Sequence, residues 1–201
     1  MKKIKRTFAL VSFIVLSHQA FAQTSYGIKG GVNWVRLNVN SEDSFYEKWG
    51  YNYKPAFHFG IYGKHNLSER FSVNPELLFS NKGYSYDKTS EGPNAYSHLN
   101  YLNLPVMAGI KLFNSMDLVL GPEFGYLLNA GAQYNKEQYN KFDVGYALGT
   151  NFYAGEKIYL SFRYSYGLTS VINTDKSQLP INGKVDFQNQ SYQFSIGYRL
   201  K

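Results

Sequence analysis

The amino-acid sequence predicts an all-β fold, namely an eight-stranded antiparallel up-and-down transmembrane β-barrel. Three observations lead to this fold class. Apolar and polar residues alternate along eight segments, long and short connections alternate between those segments, and hydrophobic residues are dispersed along the chain. They make up 44% of the 201 residues, yet the mean hydropathy is −0.37. Alternation with period two is typical of strands that have one apolar face and one polar face.

Composition excludes several other classes of protein. No apolar run reaches the roughly 18 residues that a membrane-spanning helix requires. Cysteine is absent, which excludes a disulfide scaffold and a thiol enzyme. Aromatic residues reach 18%, whereas disordered chains are poor in them. The length suits a single domain.

Residues 1–22 are predicted to be a secretory signal peptide, followed by the barrel domain over residues 23–201. A basic start precedes a short apolar stretch over residues 8–16, and Ala20-Phe21-Ala22 fits the small-x-small cleavage pattern. Taking the four basic residues of this segment from the total of 21 leaves 17 against 14 acidic residues, so the net charge falls from +7 to +3. The remaining chain has no Lys/Arg stripe, so nucleic acid is not expected as a partner.

The first four predicted strands show the alternation with some irregularity. Val, Ile, Leu or Phe recur at every second position, and Gly, Asn, Ser, Lys or Glu occupy many of the positions between them. In chain order these strands cover residues 26–34, 57–64, 71–82 and 101–111.

The last four predicted strands are more regular. They cover residues 118–128, 142–152, 158–168 and 192–200. In the final strand the apolar side carries Tyr192, Phe194, Ile196, Tyr198 and Leu200. Each of the eight strands is near or above the ~9–11 residues that a tilted strand needs to cross a bilayer.

The connections between strands indicate the topology. Long connections cover residues 39–53, 87–97, 129–141 and 169–190, and short ones cover residues 65–70, 112–117 and 154–157. Long loops at one end and short turns at the other are typical of outer-membrane barrels. Because the number of strands is even, we expect both termini at the short-turn end, which faces the periplasm in such barrels.

The apolar face of the strands is expected to contact lipid. Soluble eight-stranded barrels fill their interior with apolar side chains, but here the minor face is rich in Gly, Ser, Asn and charged residues. A lipid-facing exterior around a polar interior fits this distribution. Tyrosines near the strand ends would form interfacial aromatic girdles. The residues chosen as lipid-facing are Leu118, Leu120, Phe124, Leu160, Phe162, Phe194 and Ile196.

Charged residues on the polar face form the first candidate site. Glu76, Glu123 and Arg163 each lie five positions after the first residue of a strand that starts at the short-turn end. Unpaired charges are costly in a narrow lumen of low dielectric constant. The expected arrangement is therefore a Glu76–Arg163–Glu123 cluster that plugs the barrel. A proton or ion path is the functional alternative.

Three prolines fall inside predicted strands, at Pro75, Pro105 and Pro122. Proline removes a hydrogen bond from the ladder of a sheet. We expect bulges, local irregularity or shifted strand ends at these positions.

Several short motifs occur in order along the chain, namely 27–33 (GIKGGVN), 101–105 (YLNLP), 121–128 (GPEFGYLL), 142–145 (FDVG), 164–169 (YSYGLT) and 197–200 (GYRL). Together they resemble the PorT-type outer-membrane β-barrel family of Bacteroidota-like bacteria. The resemblance covers essentially the whole chain after the signal peptide and includes the prolines at 105 and 122. It implies an outer-membrane barrel of about this size and no single activity, although the family's namesake is associated with protein secretion. The chain ends in Leu200-Lys201 where outer-membrane barrels commonly end in an aromatic residue.

The sequence does not predict an enzyme, a cofactor or a metal site. Lipid-modifying barrels need a histidine with a serine and an acid near the outer rim. Among the three histidines after the signal peptide, His65 is placed in a short turn, His58 on the lumen face and His98 near the rim. Neighbouring Ser97 points to the opposite face from His98. Neither His pairs at ligand spacing nor an acidic calcium loop is present.

Two kinds of function remain open. The first is a structural or partner-interaction barrel with a closed lumen. The second is a transport role, as a small pore or as a component of a secretion machine. The expected partners are outer-membrane lipids, the barrel-assembly machinery and a protein bound through the extracellular loops.

Overall fold

Nine strand segments make up the fold in a computed structural model that describes residues 24–41, 51–86, 95–131, 136–173, 176 and 185–201. The predicted signal peptide lies outside these residues. The strands are β1 Thr24–Ser41, β2 Tyr51–Asn52, β3 Lys54–Asn66, β4 Phe71–Tyr86, β5 Ala95–Phe113, β6 Met116–Ala130, β7 Phe142–Ala154, β8 Ile158–Gly167 and β9 Val185–Arg199. A single 3-10 turn covers Lys136–Gln138.

No helix among the described residues is long and apolar enough to cross a membrane.

The strands close into an antiparallel barrel. Neighbours follow the order β4-β3-β1-β9-β8-β7-β6-β5, and β5 pairs back onto β4. The short β2 pairs with β4, as β3 does, and the two are separated by a break at Tyr53. They therefore count as one interrupted strand, and the barrel wall has eight strands. Between the first and last strands the pairing runs from Gly27 with Arg199 to Ser41 with Val185. The predicted fold class, an eight-stranded antiparallel barrel, is confirmed.

Several strands extend further toward the long-loop end than the sequence predicts. β1 continues beyond Trp34 to Ser41, and β9 begins at Val185 instead of Tyr192. The cause is an inversion of the pattern, because Val35 and Leu37 are buried inside the barrel while the exposed side of this part of β1 is more polar. In this part of β1, apolar residues occupy the face that is polar in the rest of the strand. The apolar–polar alternation that predicts the strand is therefore lost there.

An apolar cluster fills the lumen at the long-loop end. It includes residues from the strands and from segments 136–140 and 169–173, which are joined by an isolated bridge between Tyr139 and Ile172. The sequence analysis did not predict this cluster. Its buried members are Leu37, Tyr84, Leu99, Tyr101, Leu127, Tyr139, Val171, Ile172, Val185 and Phe187.

The seven residues chosen as lipid-facing lie on the outer surface. Leu118 is half-buried, and the other six are exposed, from 39% for Phe162 to 61% for Ile196. The tyrosines and tryptophan proposed as interfacial girdles, such as Tyr26, Trp34 and Tyr198, are on the same surface. The barrel therefore presents an apolar exterior around an interior that is polar between the short turns and the apolar cluster.

The prolines interrupt the hydrogen-bond ladder without shifting its register. Backbone pairing between β4 and β5 is interrupted next to Pro75, and pairing between β5 and β6 is interrupted next to Pro105. In both cases the strands pair again beyond the gap in the same register. Pro122 lies within the interrupted stretch between β5 and β6. The register shifts occur elsewhere, at residues 100–101 and 111–113 of β5. The expected local irregularity is present, whereas bulges at the prolines are absent from the described strands.

Placing a charge on the outer surface tests the assignment of the two faces. Leu120 is 52% exposed and pairs with Leu148 and Ala108 on the neighbouring strands. Leu120→Arg should lower the free energy of unfolding by about 2–4 kcal/mol, because lipid cannot solvate the guanidinium near the bilayer midplane. The measurement is denaturant titration of the barrel in phospholipid vesicles.

The matched control is Leu67→Arg, since Leu67 is 60% exposed in the turn after β3. This variant should change stability by less than about 0.5 kcal/mol. Equal effects of the two substitutions would mean that the face carrying Leu120 does not contact lipid.

Candidate functional site

The lumen holds many of the charged side chains of the strands, and two clusters of ion pairs lie inside it. The first, called the Arg163 cluster, consists of Lys29, Glu76 and Arg163. Arg163 Nη1 and Nη2 donate to Glu76 Oε2 and Oε1 at 2.8 and 2.6 Å. Lys29 Nζ lies 3.1 Å from Glu76 Oε2. All three residues are at most 4% exposed, and a two-pronged guanidinium–carboxylate pair is the strongest geometry for such a contact.

The Arg163 cluster spans the full width of the barrel. β4, which carries Glu76, and β8, which carries Arg163, lie four places apart in the ring of eight strands and thus face each other. β1, which carries Lys29, lies midway between them. The cluster therefore joins opposite walls of the lumen by side chains alone.

The second cluster, called the Lys82 cluster, lies nearer the long-loop end. Lys82 Nζ is 2.9 Å from Glu123 Oε1 and 3.6 Å from Asp143 Oδ2. Asn103 Nδ2 and Ser165 Oγ also donate to Glu123, at 2.7 and 3.2 Å. The Glu123 carboxylate thus has several donors, which offsets the cost of burying it.

The structure brings together part of the cluster expected from the sequence. Arg163 contacts Glu76 as expected, whereas Glu123 pairs with Lys82. Lys29 and Lys82 occupy polar-face positions in the alternation of β1 and β4, but the sequence does not identify them as the partners of these carboxylates. The alternation with period two predicts which face of its strand a residue occupies. It does not predict which residue of another strand the side chain contacts.

The two clusters balance each other in charge. The Arg163 cluster has two cations and one carboxylate, and the Lys82 cluster has one cation and two carboxylates. Together the six groups are neutral. Opposite net charges on neighbouring clusters attract, which further reduces the cost of keeping either one out of water.

His58 lies in the lumen between Asn33 and Ser195, in a serine–histidine–asparagine arrangement. Its Nδ1 is 2.6 Å from Asn33 Oδ1, and its Nε2 is 2.8 Å from Ser195 Oγ. Because the amide oxygen only accepts, Nδ1 carries the proton and the serine hydroxyl donates to Nε2. The three residues are at most 5% exposed. A substrate therefore has no access to this serine, and His58 acts as a packed polar residue in the lumen.

His98 and Ser97 do not form a catalytic pair at the rim. Ser97 is buried in the lumen and His98 is exposed on the other face. Lys54 Nζ donates to Ser97 O at 2.6 Å and lies 3.0 Å from His98 Nδ1. The third histidine, His65, contacts Thr24 Oγ1 at 2.9 Å at the short-turn end.

A polar cavity of about 790 Å³, called the vestibule, opens at the short-turn end. Lys64, Asp117 and Tyr153 form a hydrogen-bonded group in its wall. Above it the rings of Tyr62 and Tyr159 meet edge to face at 5.1 Å. These rings occupy lumen positions between the vestibule and the Arg163 cluster. The remaining charged lining residues are Glu69, Arg70, Lys111, Glu156 and Arg199.

Small residues make room for the two tyrosine rings. A β-carbon at Gly197 would overlap the Tyr159 ring, and one at Gly27 would overlap Tyr62. Each ring thus lies directly on the backbone of the neighbouring strand and closes the inner end of the vestibule.

Within the described residues, no group of three or more His, Cys, Asp or Glu side chains is arranged to hold a metal ion.

Removing the central carboxylate tests the energetic role of the Arg163 cluster. Glu76→Ala leaves the buried Arg163 and Lys29 without their counter-ion, so the free energy of unfolding should fall by about 3–5 kcal/mol. The measurement is denaturant titration in phospholipid vesicles. Glu69→Ala, an exposed carboxylate in a turn, is the control and should have an effect within about 0.5 kcal/mol. Similar stability of both variants would contradict the inferred role.

A comparison with solved structures finds several small barrels to which this chain is similar. Neisserial surface protein A has a TM-score of 0.52 and 10% identity, with 87% of this chain and 97% of that chain covered. Ail, the attachment invasion locus protein of Yersinia pestis, has a TM-score of 0.48 and 13% identity, covering 89% and 99%. The outer membrane protein OprG of Pseudomonas aeruginosa has a TM-score of 0.47 and 12% identity, covering 88% and 95%. At these identities the likeness concerns the fold alone.

The chain matches a protein family by sequence. No sequence among the curated proteins matches it. The family described as outer membrane protein beta-barrel domain matches residues 21–173, which is more than half of the chain. This match agrees with the closed barrel and its apolar exterior and assigns the protein to the outer membrane. The chain belongs to the outer membrane protein beta-barrel domain family.

Proposed function

We propose that this protein is an outer-membrane barrel whose lumen is closed by its own side chains and that its role is structural or the binding of a partner. The observation that carries the proposal is the Arg163–Glu76 pair, which joins opposite walls of the lumen at 2.6 Å. Eight strands enclose an interior just wide enough for side chains to fill. An ion pair across the full width leaves no room for a water-filled path.

Further layers above and below the ion pair support closure. Going from the short turns, the lumen contains the Tyr62–Tyr159 rings, the Arg163 cluster, the His58 group, the Lys82 cluster and the apolar cluster. Each layer consists of buried side chains from several strands. The proposed role is non-catalytic, because the serine beside His58 is enclosed by these layers.

The proposed orientation places the termini and short turns in the periplasm and the long loops outside the cell. Its support is the alternation of connection lengths, which is typical of outer-membrane barrels. In this orientation the loops are available to a protein partner, and the final strand is available to the barrel-assembly machinery.

Electrical recording tests the closed lumen. The protein reconstituted in planar bilayers should give no single-channel steps, because the ion pairs occupy the lumen. The double variant Glu76→Ser with Arg163→Ser removes the pair across the barrel but leaves the tyrosine rings, the Lys82 cluster and the apolar cluster in place, so it should give no regular steps either. A porin reconstituted in the same way is the positive control. Regular current steps from the unmodified protein would overturn the proposal.

A second candidate function is a component of a protein secretion machine of the PorT type. The observation that favours it is the vestibule, which is open and has a small excess of positive charge. Arg70, Lys111 and Arg199 form no ion pair among the described residues, and the lining carboxylates outside the Lys64–Asp117 pair are Glu69 and Glu156. Such a surface suits an acidic periplasmic partner. The sequence motifs that resemble the PorT-type family also support this candidate.

Partner capture from native membranes tests the secretion candidate. The unmodified protein should co-purify with periplasmic or inner-membrane proteins, and deletion of its gene should reduce secreted protein. The variant Arg70→Glu with Lys111→Glu reverses the charge of the vestibule and should lose those partners. The same partners on the charge-reversed variant, or normal secretion after deletion, would argue against this candidate and leave the closed barrel unaffected.

A further inference from the structure

A patch of tyrosine and amide side chains lies on the outer surface of the barrel, toward the long-loop end. We call it the tyrosine–amide patch. It is separate from the lumen and belongs to β1, β8 and β9, together with the residue between β2 and β3. Its members are Arg36, Asn38, Tyr53, Tyr164, Tyr166, Gln188, Gln190 and Tyr192.

The Arg36 guanidinium is held in one orientation within this patch. Its Nε donates to Gln190 Oε1 at 2.7 Å, and its Cζ atom lies over the Tyr53 ring, 4.8 Å from the ring centroid. Gln190 is itself fixed, because its Nε2 donates to Tyr164 Oη at 3.0 Å. Among the described residues Arg36 forms no ion pair, and its two terminal nitrogens have no acceptor. The guanidinium is therefore ready to bind an anion.

Hydrogen bonds also order the rest of the patch. Tyr166 Oη donates to Gln188 Oε1 at 2.7 Å and accepts from Asn38 Nδ2 at 3.1 Å. The rings of Tyr164 and Tyr192 lie 5.3 Å apart, and Tyr192 also contacts Tyr53 at 5.8 Å. These hydrogen bonds and ring contacts preorganise the side chains of the patch. Little side-chain entropy therefore remains to be lost when a ligand binds.

The height of the patch places it at the level of lipid headgroups. Trp34 and Tyr192 are paired neighbours at the end of the apolar exterior, and the next outward-facing pair is Arg36 with Gln190. Aromatic residues of this kind mark the membrane–water interface. A group bound by Arg36 would therefore lie just outside the hydrocarbon layer. The anions permanently present at that depth on the outside of a barrel are those of membrane lipids.

We propose that the tyrosine–amide patch binds the anionic, phosphate-bearing headgroup of an outer-leaflet lipid through the terminal nitrogens of Arg36. Planar guanidinium groups match phosphate oxygens with two parallel hydrogen bonds. Gln190 and Tyr53 hold the guanidinium in position, and the rings of Tyr164 and Tyr192 face the remainder of the headgroup. This inference rests on the proposed membrane orientation and names the lipid partner of that surface.

Native mass spectrometry of the barrel released from lipid nanodiscs tests the proposal. The probe is bisphosphorylated lipid A in a zwitterionic phospholipid background, compared with the same glycolipid after removal of its phosphates. The unmodified protein should retain the phosphorylated form in preference to the other. Arg36→Gln should lower this retention about tenfold, since hydrogen bonds between charged groups are among the stronger contacts in proteins.

Two controls separate the site from general electrostatics and from misfolding. Arg70→Gln removes a positive charge at the short-turn end and should retain the phosphorylated lipid as the unmodified protein does. Arg36→Gln should still unfold in one cooperative transition, with a midpoint lowered only by the loss of the Gln190 and Tyr53 contacts, because Arg36 is on the outer surface. Inorganic phosphate in excess should not displace the lipid.

Several outcomes would overturn the proposal. Equal retention by Arg36→Gln and Arg70→Gln, or retention that does not depend on the phosphates, would remove the role of Arg36. Displacement by inorganic phosphate would identify a site for a soluble anion instead of a lipid. Dimers that disappear in Arg36→Gln would assign the patch to a second copy of the chain. Each result leaves the conductance experiment unaffected, so failure here is distinguishable from failure of the proposed function.

Discussion

The structure depends on one constraint, which is that lipid cannot hydrogen-bond to the peptide backbone. Every N–H and C=O group within the bilayer must therefore find its partner in a neighbouring strand, and only a closed sheet provides this along all strands. Closure by eight strands fixes the width of the lumen. The interior is then narrow enough for side chains to fill it, and the exterior has to be apolar. The residue types on both faces follow from this geometry.

Filling such a lumen with charge requires compensation on all sides. Lys29, Glu76, Glu123 and Arg163 come from β1, β4, β6 and β8, which are spaced evenly around the ring. Cations and carboxylates therefore approach from different walls and meet near the axis. The excess positive charge of the Arg163 cluster is matched by the excess negative charge of the Lys82 cluster.

The sequence predicts the fold well because lipid and lumen impose a period of two on every strand. The alternation around Phe194 and Ile196 was sufficient to assign the outer face, and the alternating lengths of the connections indicated the topology. The same reasoning failed beyond Trp34, where Val35 and Leu37 face inward and the pattern inverts. It also left Glu123 without its true partner Lys82, because ion pairs across the lumen depend on the stagger of strands far apart in the sequence.

The pairing of β1 with β9 has a consequence for how the barrel forms. These strands are the first and the last of the domain, and their ladder runs from Gly27 to Ser41. The contact that completes the wall thus joins residues at the greatest separation along the chain, which makes closure entropically expensive and slow. Until β9 arrives, β1 exposes an unpaired edge. Delivery of the C-terminal strand is therefore the committing step of assembly, and opening this seam is the corresponding barrier to unfolding.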